Sequence, residues 1–169
     1  MTDPTTTNRS KSDRIARLGA GVTLLALIAG GLVLLADLGP TMTASAGEDD
    51  FPEYDESKFE TTDSGLKYRI IRPGNDTKPE PSDTVNAHYA GTLDSNGREF
   101  DSSYKRGEPI DFPLNGVIKG WTEGLQLIGE GGAIQLIIPP ELGYGARGAG
   151  GAIPPNATLR FNVELMQVK

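Results

Sequence analysis

Residues 84–103 read TVNAHYAGTLDSNGREFDSS and predict two antiparallel strands joined by a tight turn. The first strand is expected over Thr84–Leu93, which carries several β-branched and aromatic residues. Asp94-Ser95-Asn96-Gly97 is a strong turn signal, because Asn and Gly tolerate the left-handed backbone that tight turns need. The second strand is expected to include Glu99–Phe100. Such a hairpin indicates a sheet with antiparallel neighbours.

The rest of the C-terminal region continues this pattern of short strands separated by Gly, Pro, Asn and Asp. Further strands are predicted over residues 66–71, 110–112, 133–138 and 158–167. Only Trp121–Ile128 has helical spacing, with Trp121, Leu125 and Ile128 on one face. A helix this short must lie against the sheet to bury that face. The prediction is an α+β fold, in which a mainly antiparallel sheet packs on one short helix.

The N-terminal region has a different composition. Residues 1–17 form a polar tail with four Lys and Arg, and the 19 residues Leu18–Ala36 follow without a charge. At about 1.5 Å per residue, a helix of that length reaches roughly 28 Å, which is close to the thickness of a bilayer core. We therefore expect residues 18–38 to be a transmembrane anchor or a signal segment, with the basic tail in the cytoplasm. The alternative is a buried core helix, but such helices seldom lack polar residues on every face.

Whether this segment is retained depends on Ala44-Ser45-Ala46, which has the A-x-A form of a signal-peptidase site. Cleavage after Ala46 would give a secreted protein. The apolar run is longer than the usual signal-peptide core of about 7–15 residues, so a retained single-pass anchor is favoured. Residues 39–60 are predicted to be an acidic linker, and the folded domain is predicted to span residues 61–169. Three linker aromatics are candidates for docking onto that domain: Phe51, Tyr54 and Phe59.

Charge and composition exclude several kinds of site. A net charge of −7 and a pI near 4.7 argue against nucleic-acid binding, which needs clustered Lys and Arg. The absence of cysteine excludes disulfides, thiolate nucleophiles and Cys-based metal sites. The single histidine, His88, excludes multi-His metal sites, and its place in the strand alternation favours a structural role. We expect no cofactor.

The C-terminal 110 residues closely resemble the FK506-binding-protein family of prolyl isomerases. Six segments in family order carry the resemblance: residues 87–91 (AHYAG), 99–103 (EFDSS), 117–121 (VIKGW), 138–140 (IPP), 142–146 (LGYGA) and 153–159 (IPPNATL). The match covers residues 61–169 and none of the N-terminal third. The fold it implies is a bent antiparallel sheet wrapped around one short α-helix, here preceded by the N-terminal hydrophobic helix.

The resemblance also implies a dry aromatic cleft for a proline ring, with Trp121 as its floor. The implied substrate-binding residues are Tyr89, Phe100, Asp101, Arg106, Ile110, Val117, Ile118, Trp121, Tyr144, Ile153 and Phe161. Four of them are implied to be catalytic: Tyr89, Asp101, Ile118 and Tyr144. The Ile118 N–H and the Tyr144 hydroxyl would donate to substrate carbonyls. Asp101 matches a buried carboxylate that orients Tyr89 and pairs with Arg106, or alternatively polarises the rotating amide.

Each residue taken alone has a simpler interpretation, since aromatic and apolar side chains such as Trp121, Phe161 and Val117 are usually core residues. The sequence also departs from the family at Ile110, where many members have an aromatic ring, and at Ala149 and Ala152, in and next to the Gly-rich loop Gly145–Gly151, where bulkier side chains are common. These changes predict a shallower pocket on that side and a more mobile loop. They bear on inhibitor affinity and on the preference for the residue before proline.

The expected function is peptidyl-prolyl cis/trans isomerisation in exported or cell-surface polypeptides, at the outer face of the cytoplasmic membrane. The expected partners are proline-containing polypeptides, macrolide inhibitors of the FK506 type, and the membrane itself through residues 18–38. The alternative is a non-catalytic tethered chaperone or adaptor that holds proline-containing segments. The complete set of cleft aromatics argues for the enzyme. A hydrolase is disfavoured, because His88 has no Ser or Asp at a recognisable motif.

Overall fold

Seven strands and one α-helix make up the regular structure of residues 47–169, the part of the chain that the computed structural model describes. The elements are β1 (Glu60–Thr61), β2 (Lys67–Arg72), β3 (Thr84–Leu93), β4 (Glu99–Ser102), β5 (Ile110–Pro113), α1 (Lys119–Leu125), β6 (Ala133–Ile138) and β7 (Leu159–Val168). Single 3₁₀ turns lie at Glu48–Asp50, Glu56–Lys58, Tyr104–Arg106, Leu114–Gly116, Pro140–Leu142 and Gly145–Arg147. The predicted tail, the anchor or signal segment and the candidate cleavage site lie outside the described residues. Between residues 47 and 169, no helix has the length and apolar character needed to cross a bilayer.

All seven strands join one antiparallel sheet. Six of them follow the order β1-β2-β6-β7-β3-β4, and β5 pairs with β3. The long strand β3 has two neighbours on the same side: β5 pairs with Thr84–Ala87, and β4 pairs with Ala90–Thr92. Its other side pairs along its length with β7. The predicted antiparallel sheet with a single helix is therefore confirmed for the described part of the chain.

The β3–β4 hairpin forms where the sequence predicts it. Gly97 takes a φ of 70°, in the left-handed region, and its N–H donates to the Leu93 carbonyl at 2.8 Å. The Asn96 side chain accepts from the Arg98 N–H at 2.9 Å. A register shift between Gly91 and Thr92 follows, and β4 continues two residues beyond the predicted Glu99–Phe100. That extension brings Asp101 opposite Gly91 in the register.

Helix α1 begins two residues before the predicted helix and ends three residues earlier. Leu127 and Ile128 continue in a tighter turn, where the Ile128 N–H donates to the Leu125 carbonyl at 3.4 Å. Trp121, Leu125 and Ile128 are nevertheless all buried, so the predicted spacing identified the correct face. The helix lies very close to β6, because its side facing that strand is formed by two glycines, Gly120 and Gly124.

The core lies between α1 and one face of the sheet. Its fully buried aliphatic side chains come from every central element and include Leu66, Leu93, Leu125, Ile134, Leu136, Ile138, Leu159 and Leu165. Burial of a Leu or Ile side chain contributes about 1.5–3 kcal/mol, so this cluster supplies much of the driving force for folding. It also holds the helix and the aromatic side chains of β3 and β7 in place.

The opposite face of the sheet is covered by residues 47–59, here called the N-terminal strap. The Gln135 side chain donates to the Pro52 carbonyl at 2.7 Å, and the Arg160 guanidinium lies 5.0 Å from the centre of the Tyr54 ring. Gln135 and Arg160 alternate along their strands with core-facing neighbours, which places the strap on the side away from α1. This part of the predicted acidic linker therefore packs against the sheet.

Candidate functional site

The floor of the site is Trp121, the third residue of α1. Its side chain is 4% exposed and meets three other rings edge-on: Tyr89 at 5.2 Å, Phe112 at 5.3 Å and Phe161 at 5.4 Å between centroids. These edge-to-face contacts add about 0.5–1.5 kcal/mol each beyond the burial of area. The indole is thus held rigidly, and its Nε1–H has no hydrogen-bond partner among the described residues.

Gly91 allows the rings of β4 and β7 to approach β3. A Cβ atom at this position would lie 2.7 Å from both Phe100 Cζ and Phe161 Cε1, well inside contact distance. The two rings meet each other edge-on at 5.5 Å. The side wall of the site therefore depends on the absence of a side chain at Gly91.

These rings enclose a cavity of about 560 Å³ that is open to solvent on one side. That size is within the usual range of small-molecule pockets. Its lining residues are Tyr89, Phe100, Asp101, Phe112, Gly116, Val117, Ile118, Lys119, Trp121, Glu141, Gly143, Tyr144 and Phe161. The cavity is thus apolar at its base and carries polar groups at its border.

Three polar side chains on the β4 side form a closed hydrogen-bonded triangle. The Tyr89 hydroxyl donates to Asp101 Oδ2, and Arg106 donates from Nη1 to Asp101 Oδ1 at 2.5 Å and from Nη2 to the Tyr89 oxygen at 2.8 Å. The expected pairing of Asp101 with both partners is therefore present. The carboxylate is not buried, however, since 42% of the Asp101 side chain and 41% of the Arg106 side chain are exposed. The reason is that β4 is an edge strand and leaves one side of Asp101 open.

The triangle has a defined charge state. Burial, together with the hydrogen bond to Asp101, raises the pKa of Tyr89 to about 12. Partial burial opposes ionisation of Asp101, but hydrogen bonds from Arg106 and Tyr89 outweigh it and hold the pKa of that carboxyl below its usual value. At neutral pH the triangle therefore contains a neutral phenol, a carboxylate and a guanidinium.

Several polar groups at the cavity have no partner within the described residues, and two of them are the donors that the family resemblance implies. The Ile118 N–H, directly before α1, has no acceptor there, and the Tyr144 hydroxyl makes no hydrogen bond. Tyr144 is 40% exposed, which is unusual for a large aromatic side chain. Both groups are thus available to a molecule that enters the cavity.

Eight of the residues implied by the family resemblance line the cavity, and three do not. Arg106 reaches the site only through Asp101 and Tyr89. Ile110 packs against the core, and Ile153 is buried beside its β-bridge partner Ala149. Phe112, two residues from Ile110 along the same strand, supplies a ring to the cavity, and the shallower pocket expected from Ile110 stays a prediction.

Five lining residues were not predicted from the sequence: Phe112, Gly116, Lys119, Glu141 and Gly143. Phe112 was detectable in principle, since it shares the alternation of β5 with Ile110. Lys119 and Gly143 lie inside the matched segments 117–121 and 142–146, and Gly116 and Glu141 lie next to matched segments; all four line the cavity through their position alone.

His88 lies on the opposite face of β3 from Tyr89. Its Nδ1 is 3.0 Å from the buried Ser103 hydroxyl, and its ring stacks on Tyr104 at 4.7 Å. These contacts agree with a structural role. In the described part of the chain, no group of three or more His, Cys, Asp and Glu side chains is arranged to hold a metal ion.

Comparisons with known proteins concern the same folded region. A family model described as "FKBP-type peptidyl-prolyl cis-trans isomerase" matches residues 75–166. The chain is 56% identical over 108 residues to a "Probable FKBP-type peptidyl-prolyl cis-trans isomerase" of Haemophilus influenzae, covering 64% of this chain and 44% of that protein. It is 51% identical over 107 residues to FK506-binding protein 1 of Dictyostelium discoideum, covering 62% of this chain and 99% of that protein.

Among solved structures, FkpA from Escherichia coli superposes with a TM-score of 0.64 at 54% identity, covering 68% of this chain and 53% of that one. The chain spans less than half the length of the first bacterial relatives it matches. The similarity is thus one of the folded region described above.

Proposed function

Because the chain belongs to the FKBP-type peptidyl-prolyl cis-trans isomerase family, we propose that its folded region catalyses cis/trans rotation about X-Pro bonds in polypeptides. The observation that carries the proposal is the cavity itself. It joins a rigid aromatic floor at Trp121 to two free hydrogen-bond donors, the Ile118 N–H and the Tyr144 hydroxyl. The flat indole gives a proline ring an apolar surface to pack against.

The reaction needs no covalent chemistry. Resonance of the amide sets a barrier of about 18–20 kcal/mol, and the twisted transition state has lost that resonance and is less polar than the planar amide. A dry apolar cavity therefore favours the twisted form over the planar one. A thousandfold acceleration requires only about 4 kcal/mol.

The polar groups act by holding the substrate in place. The Ile118 N–H and the Tyr144 hydroxyl would each bind a substrate carbonyl, which fixes the peptide on either side of the rotating bond. The triangle of Asp101, Arg106 and Tyr89 keeps the Tyr89 ring against Trp121. In the alternative role, the Asp101 carboxylate, which lines the cavity, polarises the rotating amide.

The proposed setting is outside the cytoplasmic membrane, with residues 18–38 as a retained single-pass anchor and exported or cell-surface polypeptides as substrates. The basis is the uncharged run Leu18–Ala36 behind a basic tail. Secretion after cleavage behind Ala46 is the alternative. The mature mass in membrane and culture fractions tests this, since an N-terminus at Gly47 in the medium would overturn the anchor.

Catalysis is tested by the rate of X-Pro exchange in a short peptide, measured with the full chain kept in solution by mild detergent. We expect acceleration that is lost on addition of an FK506-type macrolide, which would occupy the same cavity. The matched pair of variants is Tyr144→Phe, which removes one donor, and Tyr54→Phe, which removes a phenol from the strap on the far side. Acceleration should fall in the first and persist in the second. Peptide binding without any acceleration would instead identify a non-catalytic binding module.

A further inference from the structure

We infer that Lys119 and Glu141 form a charge-selective border, through which the cavity recognises acidic and basic side chains next to the bound proline. This rests on the proposed function, and concerns which proline-containing segments the same site prefers. The border is defined by these two residues alone.

Lys119 and Glu141 both line the cavity and are exposed at its edge. Neither takes part in an ion pair with any residue from 47 to 169, although several other exposed lysines and acidic residues of that region do. Their charges are thus not neutralised within the described part of the chain.

The other charged groups at the cavity already offset each other. The Asp101 carboxylate accepts hydrogen bonds from Tyr89 and Arg106, and the Arg106 guanidinium also donates to the Tyr89 oxygen. The opposite charges of Asp101 and Arg106 form an ion pair, so this pair presents no net charge to a substrate. Lys119 and Glu141 have no such ion-pair partner within residues 47–169.

Lys119 and Glu141 belong to segments that meet at one side of the cavity. A Cβ atom on Gly120 would lie 2.6 Å from Ile138 Cγ2, so the first turn of α1 is pressed against the end of β6. The chain continues from that end through Pro139 to Glu141. Strand β4, which carries Asp101, is three strand spacings from β6, or roughly 14 Å across β7 and β3. The bound proline would thus lie between the Asp101–Arg106 pair, whose charges offset each other, and the unpaired charges of Lys119 and Glu141.

The border would therefore favour proline segments with a charged flanking side chain over those with a neutral polar one. Lys119 favours an acidic neighbour of proline, and Glu141 favours a basic one. Exposed ion pairs contribute little individually, so we expect preferences of about two- to fivefold at low salt. The preference should disappear near 1 M salt, where charges are screened within about 3 Å.

The test uses peptides that differ only at the residue before proline, which is Glu, Gln or Lys, and a second set with the same change after proline. Affinity by NMR titration and exchange rate are both measured with the full chain, for wild type, Lys119→Gln and Glu141→Gln. We expect Lys119→Gln to lower the Glu-to-Gln affinity ratio two- to fivefold in one peptide set. Glu141→Gln should lower the Lys-to-Gln ratio in the same way.

The controls are Lys58→Gln and Glu80→Gln, exposed residues that do not line the cavity. Unchanged ratios in both cavity variants, or equal changes in the controls, would overturn the inference. Affinity ratios that shift as expected while no peptide exchanges faster would leave the charged border standing and refute the proposed catalysis. The two failures are thus distinguishable.

Discussion

Tyr89, at the centre of β3, contacts both the aromatic floor and the polar triangle of the site. Substitution of its partner Asp101 tests most directly what the triangle contributes. Asp101→Asn keeps the size of the side chain and removes the charge that Tyr89 and Arg106 share. Loss of a charge-assisted hydrogen bond costs about 1.5–3 kcal/mol. We therefore expect kcat/KM for X-Pro exchange to fall at least about tenfold. Asp111→Asn, which breaks an exposed pair with Lys169, is the control and should retain its rate. Equal rates in the two variants would show that the triangle does not contribute.

The charge state of the triangle predicts a flat pH profile. The pKa of Asp101 is lowered and that of Tyr89 is raised to about 12, so neither group changes charge between about pH 5 and pH 9. His88, whose pKa is lowered by burial, faces away from the cavity. The exchange rate should thus be constant across this range, and the Asp101 carboxyl should titrate below its usual value of 3.8 in an NMR titration. Because its folded pKa is depressed, the stability it contributes is present above the ordinary pKa and is lost as the pH falls below it. An Asp101 that titrates above pH 5 would contradict this.

At the scale of elements, α1 depends on two glycines that bring it against β6. Gly→Ala in a helix gains up to about 1 kcal/mol of intrinsic propensity. A Cβ at Gly124 would lie 2.7 Å from Leu136 Cδ2, and one at Gly120 would lie within 2.9 Å of three atoms of Ile138. Leu136 and Ile138 are fully buried and have little room to move, so overpacking of about 1–3 kcal/mol should outweigh the gain. We expect both alanine variants to lower the free energy of unfolding in urea titrations, Gly120→Ala more than Gly124→Ala. Thr122→Ala, on another face of the helix, is a useful comparison, since it removes only a hydrogen bond to the Leu114 carbonyl.

The N-terminal strap is an element that stabilises the sheet from outside. It covers the buried amide of Gln135 and brings Tyr54 against Arg160 and Phe59. Replacement of residues 48–58 by a Gly/Ser sequence of equal length should expose that face and leave Gln135 without its main-chain acceptor. A loss of about 1 kcal/mol lowers Tm by about 4–8 °C in a domain of this size, and we expect at least that much in thermal unfolding. Replacement of residues 76–78, in an exposed loop, by the same kind of sequence is the control. An unchanged Tm would mean that the strap only rests on the sheet.

On the scale of the whole molecule, the sheet order predicts a gradient of stability. Strands β6, β7 and β3 each have neighbours on both sides, whereas β1 and β4 lie at the edges. Amide hydrogen exchange should be slowest in β6, β7 and the half of β3 nearest Tyr89, with protection close to that of global unfolding. Strap and edge amides should exchange faster. Strap amides as slow as those of β7 would show that the strap detaches only when the whole fold opens.

How much of this architecture is visible in the sequence depends on the range of the contacts involved. β3 and β6 have the predicted bounds, because alternation and turn residues are local signals. The buried face of α1 was found through Trp121, Leu125 and Ile128, but its end was not, since the helix stops where the chain must turn towards Gly129. The packing of the strap was suggested only by its aromatics, because contacts such as Gln135 to Pro52 join residues far apart in the chain. Lys119 lies inside the matched segment 117–121 and Glu141 lies next to one, but neither was predicted at the site, since nothing local marks a residue that lies at a cavity border.

The buried indole at the cavity floor has a practical consequence. Trp121 is the only tryptophan of the 169 residues, so the intrinsic fluorescence of the indole comes from one known place. A ligand that covers the floor changes the polarity around that fluorophore, and the emission maximum and intensity follow occupancy. The native protein thus contains its own optical reporter, and inhibitors or peptides can be screened by light alone, with no label and no coupled enzyme.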